Sequence, residues 1–152
     1  MDIQILQDTA QAMVEPGKGI LAADESSGTI KKRFDSIGVE STEQNRRDYR
    51  EMLFRTQDVG KYISGVILYD ETLRQDGKDG TPLVEVIRTQ GMIPGIKVDK
   101  SGHQLAGATG EQVTEGLDGL RERLEESAKL GARFTKWRGI YAIGEGIPSR
   151  YC

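Results

Sequence analysis

At 152 residues and a formal net charge of -3, with 36% hydrophobic and 30% charged residues, the chain has the composition of a globular domain. The mild acidity, with no basic run longer than Lys31-Lys32-Arg33, excludes a general nucleic-acid binder. No stretch reaches the roughly 20 apolar residues of a membrane helix, so no membrane partner is expected.

The opening Asp2-Ile3-Gln4 lacks the basic and apolar regions of a signal peptide. The one cysteine, Cys152, permits no internal disulfide and fits a reducing compartment, so a cytoplasmic location is expected. His103 is the one histidine and reads as a bystander, because a zinc site would cluster His or Cys ligands. Magnesium sites built from carboxylates alone stay open on composition.

In chain order, Ile3, Leu6, Ala10, Met13 and Val14 recur near helical spacing and predict a helix over 3–14 that Glu15-Pro16-Gly17 stops. A strand is expected over 19–24. Gly28 then opens a turn into a short helical piece at 29–34, closed near Gly38. Ser41-Thr42-Glu43-Gln44 has the capping-box pattern, with Ser41 accepting from the N–H of Gln44, and the helix it starts reaches Phe54.

The apolar run 63–69 predicts a strand covered on both faces, and 75–80 is a polar loop. A helix over 82–89 places Pro82 in its first turn, where the missing N–H costs nothing. A third strand is expected over 92–98. A long polar loop, 99–116, precedes a helix over 117–130 that Gly131 ends, and a fourth strand over 133–143. Residues 144–152 read as a loop entering another helix.

Strands alternating with helices, and no hairpin signal between strands, imply a parallel sheet. No linker, repeat or domain boundary is visible. A closed (β/α)8 barrel takes roughly 250 residues and eight strands, of which this pattern supplies half. The alternatives are a half barrel belonging to a longer chain and a small open α/β sheet.

Gly17-x-Gly19-x-x-Ala22 satisfies a loose dinucleotide fingerprint, but the glycines precede a strand instead of following one and opening a helix. More telling are Asp24, which ends the first expected strand, and Lys97, Lys136 and Arg138, each inside a strand that the pattern says is buried. Side-chain alternation puts Lys136 and Arg138 on one face and Trp137 on the other. Lysine is seldom buried without a partner or a purpose. Two readings stand: an ion pair with Asp24, or a proton-transfer site for a phosphorylated or carbonyl substrate. Residues 24–29 can cap a helix or cradle a phosphate, and Lys31-Lys32-Arg33 can be a solvated face. Trp137 and Tyr69 read as packing residues.

Several ordered blocks resemble class I fructose-bisphosphate aldolases: Pro16-Gly17-Lys18-Gly19-Ile20-Leu21-Ala22-Ala23-Asp24-Glu25-Ser26, Asn45-Arg46-Arg47, Gly65-Val66-Ile67-Leu68, Gly95-Ile96-Lys97-Val98-Asp99-Lys100, Gly116-Leu117-Asp118-Gly119-Leu120 and Lys136-Trp137-Arg138. The resemblance implies the first four β/α units of a TIM (β/α)8 barrel. The family cleaves fructose 1,6-bisphosphate to dihydroxyacetone phosphate and glyceraldehyde 3-phosphate, through a lysine Schiff base and without metal or other cofactor. By the same resemblance Asp24 exchanges protons with the substrate hydroxyl, Lys136 assists formation and dehydration of the carbinolamine, and Lys97 keeps the charged cluster in order. Arg138 binds substrate oxygens, and Ser26, Thr29, Lys32 and Arg33 hold the distal phosphate.

The family's Schiff-base lysine lies on the sixth strand and its Glu-Pro-Glu segment on the fifth, beyond what this pattern supplies. None of Lys97, Lys100 and Lys136 matches the Schiff-base position, so the 152 residues alone are expected to be inactive. A homotetramer is implied for full-length members. The alternative function is a non-catalytic half-barrel module that binds phosphate or pairs subunits.

Overall fold

A computed structural model describes residues 2–152. Strands β1 (Gly19–Ala23), β2 (Ile63–Leu68) and β3 (Ile93–Lys97), with the later strand β6 (Phe134–Lys136), form one sheet in the order β1-β2-β3-β6. All three pairings are parallel, so each connection carries the chain back across the sheet. The helices are α1 (Ile3–Met13), α2 (Ser27–Asp35), α3 (Glu43–Phe54), α4 (Asp70–Leu73), α5 (Leu83–Thr89) and α6 (Leu120–Lys129), with a 3-10 turn at Val59–Lys61.

Period-two alternation gives the sheet two different faces. One packs Ala23, Val66, Leu68 and Ile96 against Phe54, Leu73, Leu83, Val84 and Ile87, all buried in a single core between strands and helices. On the other face the Phe134 ring crosses Gly95 and Gly65, where an added Cβ would come within 2.3 Å and 3.1 Å of it. Glycine is required at 95 by that close approach, not by its backbone angles.

Three expectations need correction. The fourth strand ends at Lys136, not near 143. Its partner β3 stops at Lys97, the position in register with Lys136, after which the Arg138 N–H donates to Asp99 Oδ2 instead of to a ladder carbonyl. The segment 99–116 is not an unstructured loop, because β4 (Gly102–Gln104) and β5 (Gln112–Thr114) pair there as an antiparallel hairpin. Gly107 and Gly110, at φ 76 and 84, supply the left-handed backbone its turn needs. The cap of α3 is Thr42, whose hydroxyl accepts from the Asn45 N–H at 3.1 Å, while the Ser41 carbonyl accepts from Arg46. No described helix is long and apolar enough to cross a membrane.

Candidate active site

The C-terminal ends of parallel strands are where loops leave a sheet and where unpaired, addressable side chains collect. Asp24 directly follows β1, and Lys97 and Lys136 are the last residues of β3 and β6. They are brought together: Lys136 Nζ donates to Asp24 Oδ2 at 2.6 Å, linking the ends of the two outer strands of the sheet. Lys97 stands beside Lys136 in register but bonds elsewhere, to Asp99 Oδ1 at 2.6 Å and to the Asp99 carbonyl at 2.9 Å.

Asp99 is the residue that motif reading left without a role. Its carboxylate side chain is 1% exposed and also accepts from the backbone N–H groups of Ser101 and Arg138, each at 3.2 Å. Burial works to raise its pKa, yet the Lys97 ammonium and the two N–H groups outweigh burial and hold it below the usual carboxylate range. One side chain thereby fixes Lys97 and the backbone that presents Arg138. The available signal was position: Asp99 is two residues beyond Lys97, so an extended backbone would put both on one side.

Ser26 caps α2 by position, without a side-chain hydrogen bond to the helix backbone, and its hydroxyl lies 3.1 Å from that of Thr29. Ala22, Asp24, Ser26, Thr29, Arg33, Lys97, Asp99, Lys136 and Arg138 line one cleft of about 270 Å³. Lys32 does not reach it; on α2 it is exposed away from the cleft lining that Arg33 joins. Trp137, just past the end of β6, is absent from this lining and lines a separate groove with Leu105 and Tyr141. Of the two readings of the charged cluster, the Lys136–Asp24 ion pair is present, and its opening onto a cleft rimmed by cations and hydroxyls keeps the chemical reading alongside it.

Behind the cleft, α3 contributes a second unforeseen residue. The Arg50 side chain is fully buried, donates from Nη2 to the Glu25 carbonyl at 2.6 Å and from Nη1 to Thr72 Oγ1 at 2.7 Å. It ties the chain just past β1 to α4. Leu53 and Phe54, three and four residues on, place Arg50 on the apolar stripe of α3, where an arginine is an anomaly in the pattern. Arg123 does the same for the hairpin insertion, donating to the carbonyls of Val98 and Gly116 at its two roots.

Known proteins align with this arrangement. The family model described as fructose-bisphosphate aldolase class-I matches residues 5–152. A probable fructose-bisphosphate aldolase class 1 of Xanthomonas axonopodis pv. citri (strain 306) is 61% identical over all of this chain, which covers 46% of that relative. Fructose-bisphosphate aldolase 1 of Toxoplasma gondii is 55% identical over 95% of this chain, covering 40% of that protein. A solved structure of fructose-bisphosphate aldolase from Plasmodium falciparum, in complex with TRAP and a small molecule inhibitor, superposes with a TM-score of 0.94 at 49% identity. It covers 97% of this chain and 43% of its own. The chain spans about half the length of the curated relatives it matches, 46% in the first case. Its matched residues make it a member of the class I fructose-bisphosphate aldolase family.

Proposed function

We propose that residues 1–152 are the N-terminal half of a single aldolase-type (β/α)8 barrel. The full-length protein would cleave fructose 1,6-bisphosphate reversibly to dihydroxyacetone phosphate and glyceraldehyde 3-phosphate through a lysine Schiff base. The observation that carries this reading is the 2.6 Å contact between Lys136 Nζ and Asp24 Oδ2 at the C-terminal edge of a parallel sheet, facing a cleft of about 270 Å³.

Aldol cleavage breaks a carbon–carbon bond as the neighbouring hydroxyl loses its proton, and a carboxylate at Asp24 is suited to accept it. Lys136, in contact with that carboxylate, is placed to give and take protons as a carbinolamine forms and loses water. Lys97, anchored on Asp99, keeps a second cation beside it. Arg138 offers a guanidinium to substrate oxygens, and Ser26, Thr29 and Arg33 offer hydroxyls and charge to the distal phosphate. Lys32, exposed on α2 and not among the residues that line the cleft, is left out of this phosphate set. No lysine of this chain is the Schiff-base nucleophile. That residue and the Glu-Pro-Glu segment belong to sequence downstream of Cys152, and homotetramer assembly and a cytoplasmic location follow from family likeness.

The test is borohydride reduction of the full-length protein with dihydroxyacetone phosphate, followed by peptide mapping. The adduct is expected on a lysine outside residues 1–152. Asp24→Asn should lower kcat by roughly 10²- to 10⁴-fold, the range for loss of a positioned acid or base, while the adduct still forms. An adduct on Lys97, Lys100 or Lys136, or none at all, overturns the reading.

A further inference from the structure

Glu25, next to Asp24, has a side chain only 7% exposed. Its Oε1 accepts from Arg33 Nη1 at the mouth of the cleft. Its Oε2 is buried 3.9 Å from Arg50 Nη2, with no hydrogen-bond donor among the described residues. Arg50 is equally under-used: its Nε is buried with no partner among the described residues, and Glu71, 3.6 Å from Nη1, is already held by Arg46 through both carboxylate oxygens. Burial pushes the Arg50 guanidinium below its usual pKa, against the pull of Glu25 and Glu71. A carboxylate drawn into direct contact would favour its charge.

Arg33 is the accessible end of this chain of charges, with 58% of its side chain exposed. A phosphate reaching it meets a carboxylate on the same guanidinium, and two anions that close repel. A displacement of about 1 Å brings Glu25 Oε2 within hydrogen-bond range of Arg50. Resting on the phosphate role proposed for Arg33, we propose that Glu25 is a built-in competitor for the incoming phosphate. It occupies Arg33 in the unliganded protein and releases it by moving its carboxylate onto Arg50. Glu25 is a positioning residue in this scheme, and phosphate affinity is set by the difference between two Glu25 contacts as well as by Arg33 itself.

The experiment is calorimetric titration of inorganic phosphate into the full-length protein and its variants E25Q, E25D, R33A and E25Q/R33A. E25Q keeps the shape but not the charge, and E25D is too short to reach Arg33. Both should bind phosphate more tightly, by roughly threefold, the worth of one partly exposed charge pair. R33A should bind more weakly, and the double variant should show no gain. Loss of a nearby negative charge can tighten binding without any competition for Arg33, and a gain that disappears in E25Q/R33A separates the two. Unchanged or weaker binding in E25Q overturns the proposal, as does a gain that survives in E25Q/R33A. Should E25Q lose its near-UV dichroism, E25D is read by the same criterion. Failure to cleave fructose 1,6-bisphosphate would overturn the aldolase reading but not this one, which the phosphate titration decides by itself.

Discussion

Asp99 holds the cleft's charges in place by accepting three different donors with one buried carboxylate: Lys97, the Ser101 N–H and the Arg138 N–H. Its folded-state pKa is lower than that of an ordinary carboxylate, so its contribution is complete above the unfolded value of about 3.9 and is lost as pH falls through the folded value. Between those two values the unfolded chain binds more protons, and stability rises with pH. Asp99→Asn removes that dependence. In the full-length protein, denaturant midpoints measured from about pH 2 to pH 6 should fall more gently toward acid in the variant than in the wild type. At pH 7 the variant should be less stable by about 1–3 kcal/mol, because Lys97, with a side chain 13% exposed, loses its charged partner. Parallel acid limbs for the two proteins would show that Asp99 is not the group that titrates.

Within the sheet, the inner face is built by subtraction. Gly65 and Gly95 leave a hollow that one Phe134 ring from β6 fills, level with the strand interior and below the layer of lysines. Gly95→Ala puts a methyl group 2.3–2.5 Å from three ring atoms, which forces the ring aside. Overpacking of this kind costs about 1–3 kcal/mol, and Gly95→Ala/Phe134→Leu should recover most of it, a coupling that a double-mutant cycle reads directly. Additive losses would mean that Phe134 does not rest on Gly95. The first three parallel strands were legible in the sequence as short apolar runs bounded by turn residues, with Asp24 and Lys97 at or near their ends, while β6 was legible only as part of a longer run over 133–143 that holds Lys136 inside it. The hairpin at 102–114 was not, because strands of three residues carry too little alternation to stand out in a polar segment. The premature end of β6 was hidden for a different reason: it is set by where β3 stops, a fact of pairing and not of local sequence. Asp99 and Arg50 carried only a faint positional mark, an i+2 offset from Lys97 and a place on the apolar stripe of α3, whereas the backbone groups that each one holds are brought near by the fold and leave no spacing along the chain.

Across the molecule, one face of the sheet is closed and the other is not. Helices seal the outer face with buried Phe54, Leu83 and Ile87, whereas on the inner side Ile20 is 42% exposed and the two outer strands, β1 and β6, are paired along one side each among the described residues. Helix α1 adds to the apolar surface, with Ile3 at 66% and Leu6 at 56% exposed and no buried side chain. A barrel interior is filled by side chains from opposite strands, so a sheet that supplies one wall leaves those groups in water and leaves strand edges free to pair with other chains. Expressed as 152 residues, the chain should therefore bind an apolar dye, show weak near-UV dichroism, associate with increasing concentration and cleave no fructose 1,6-bisphosphate. The full-length protein should exclude the dye, show strong near-UV dichroism, stop at a defined oligomer instead of associating without limit, and be active. The far-UV signal should persist in both, since the outer helix–sheet core is intact in this half. A monomer of 152 residues that excludes the dye and melts in one sharp two-state transition would mean that the inner face closes without an opposite wall, and the half-barrel reading would then give way to a small open α/β domain.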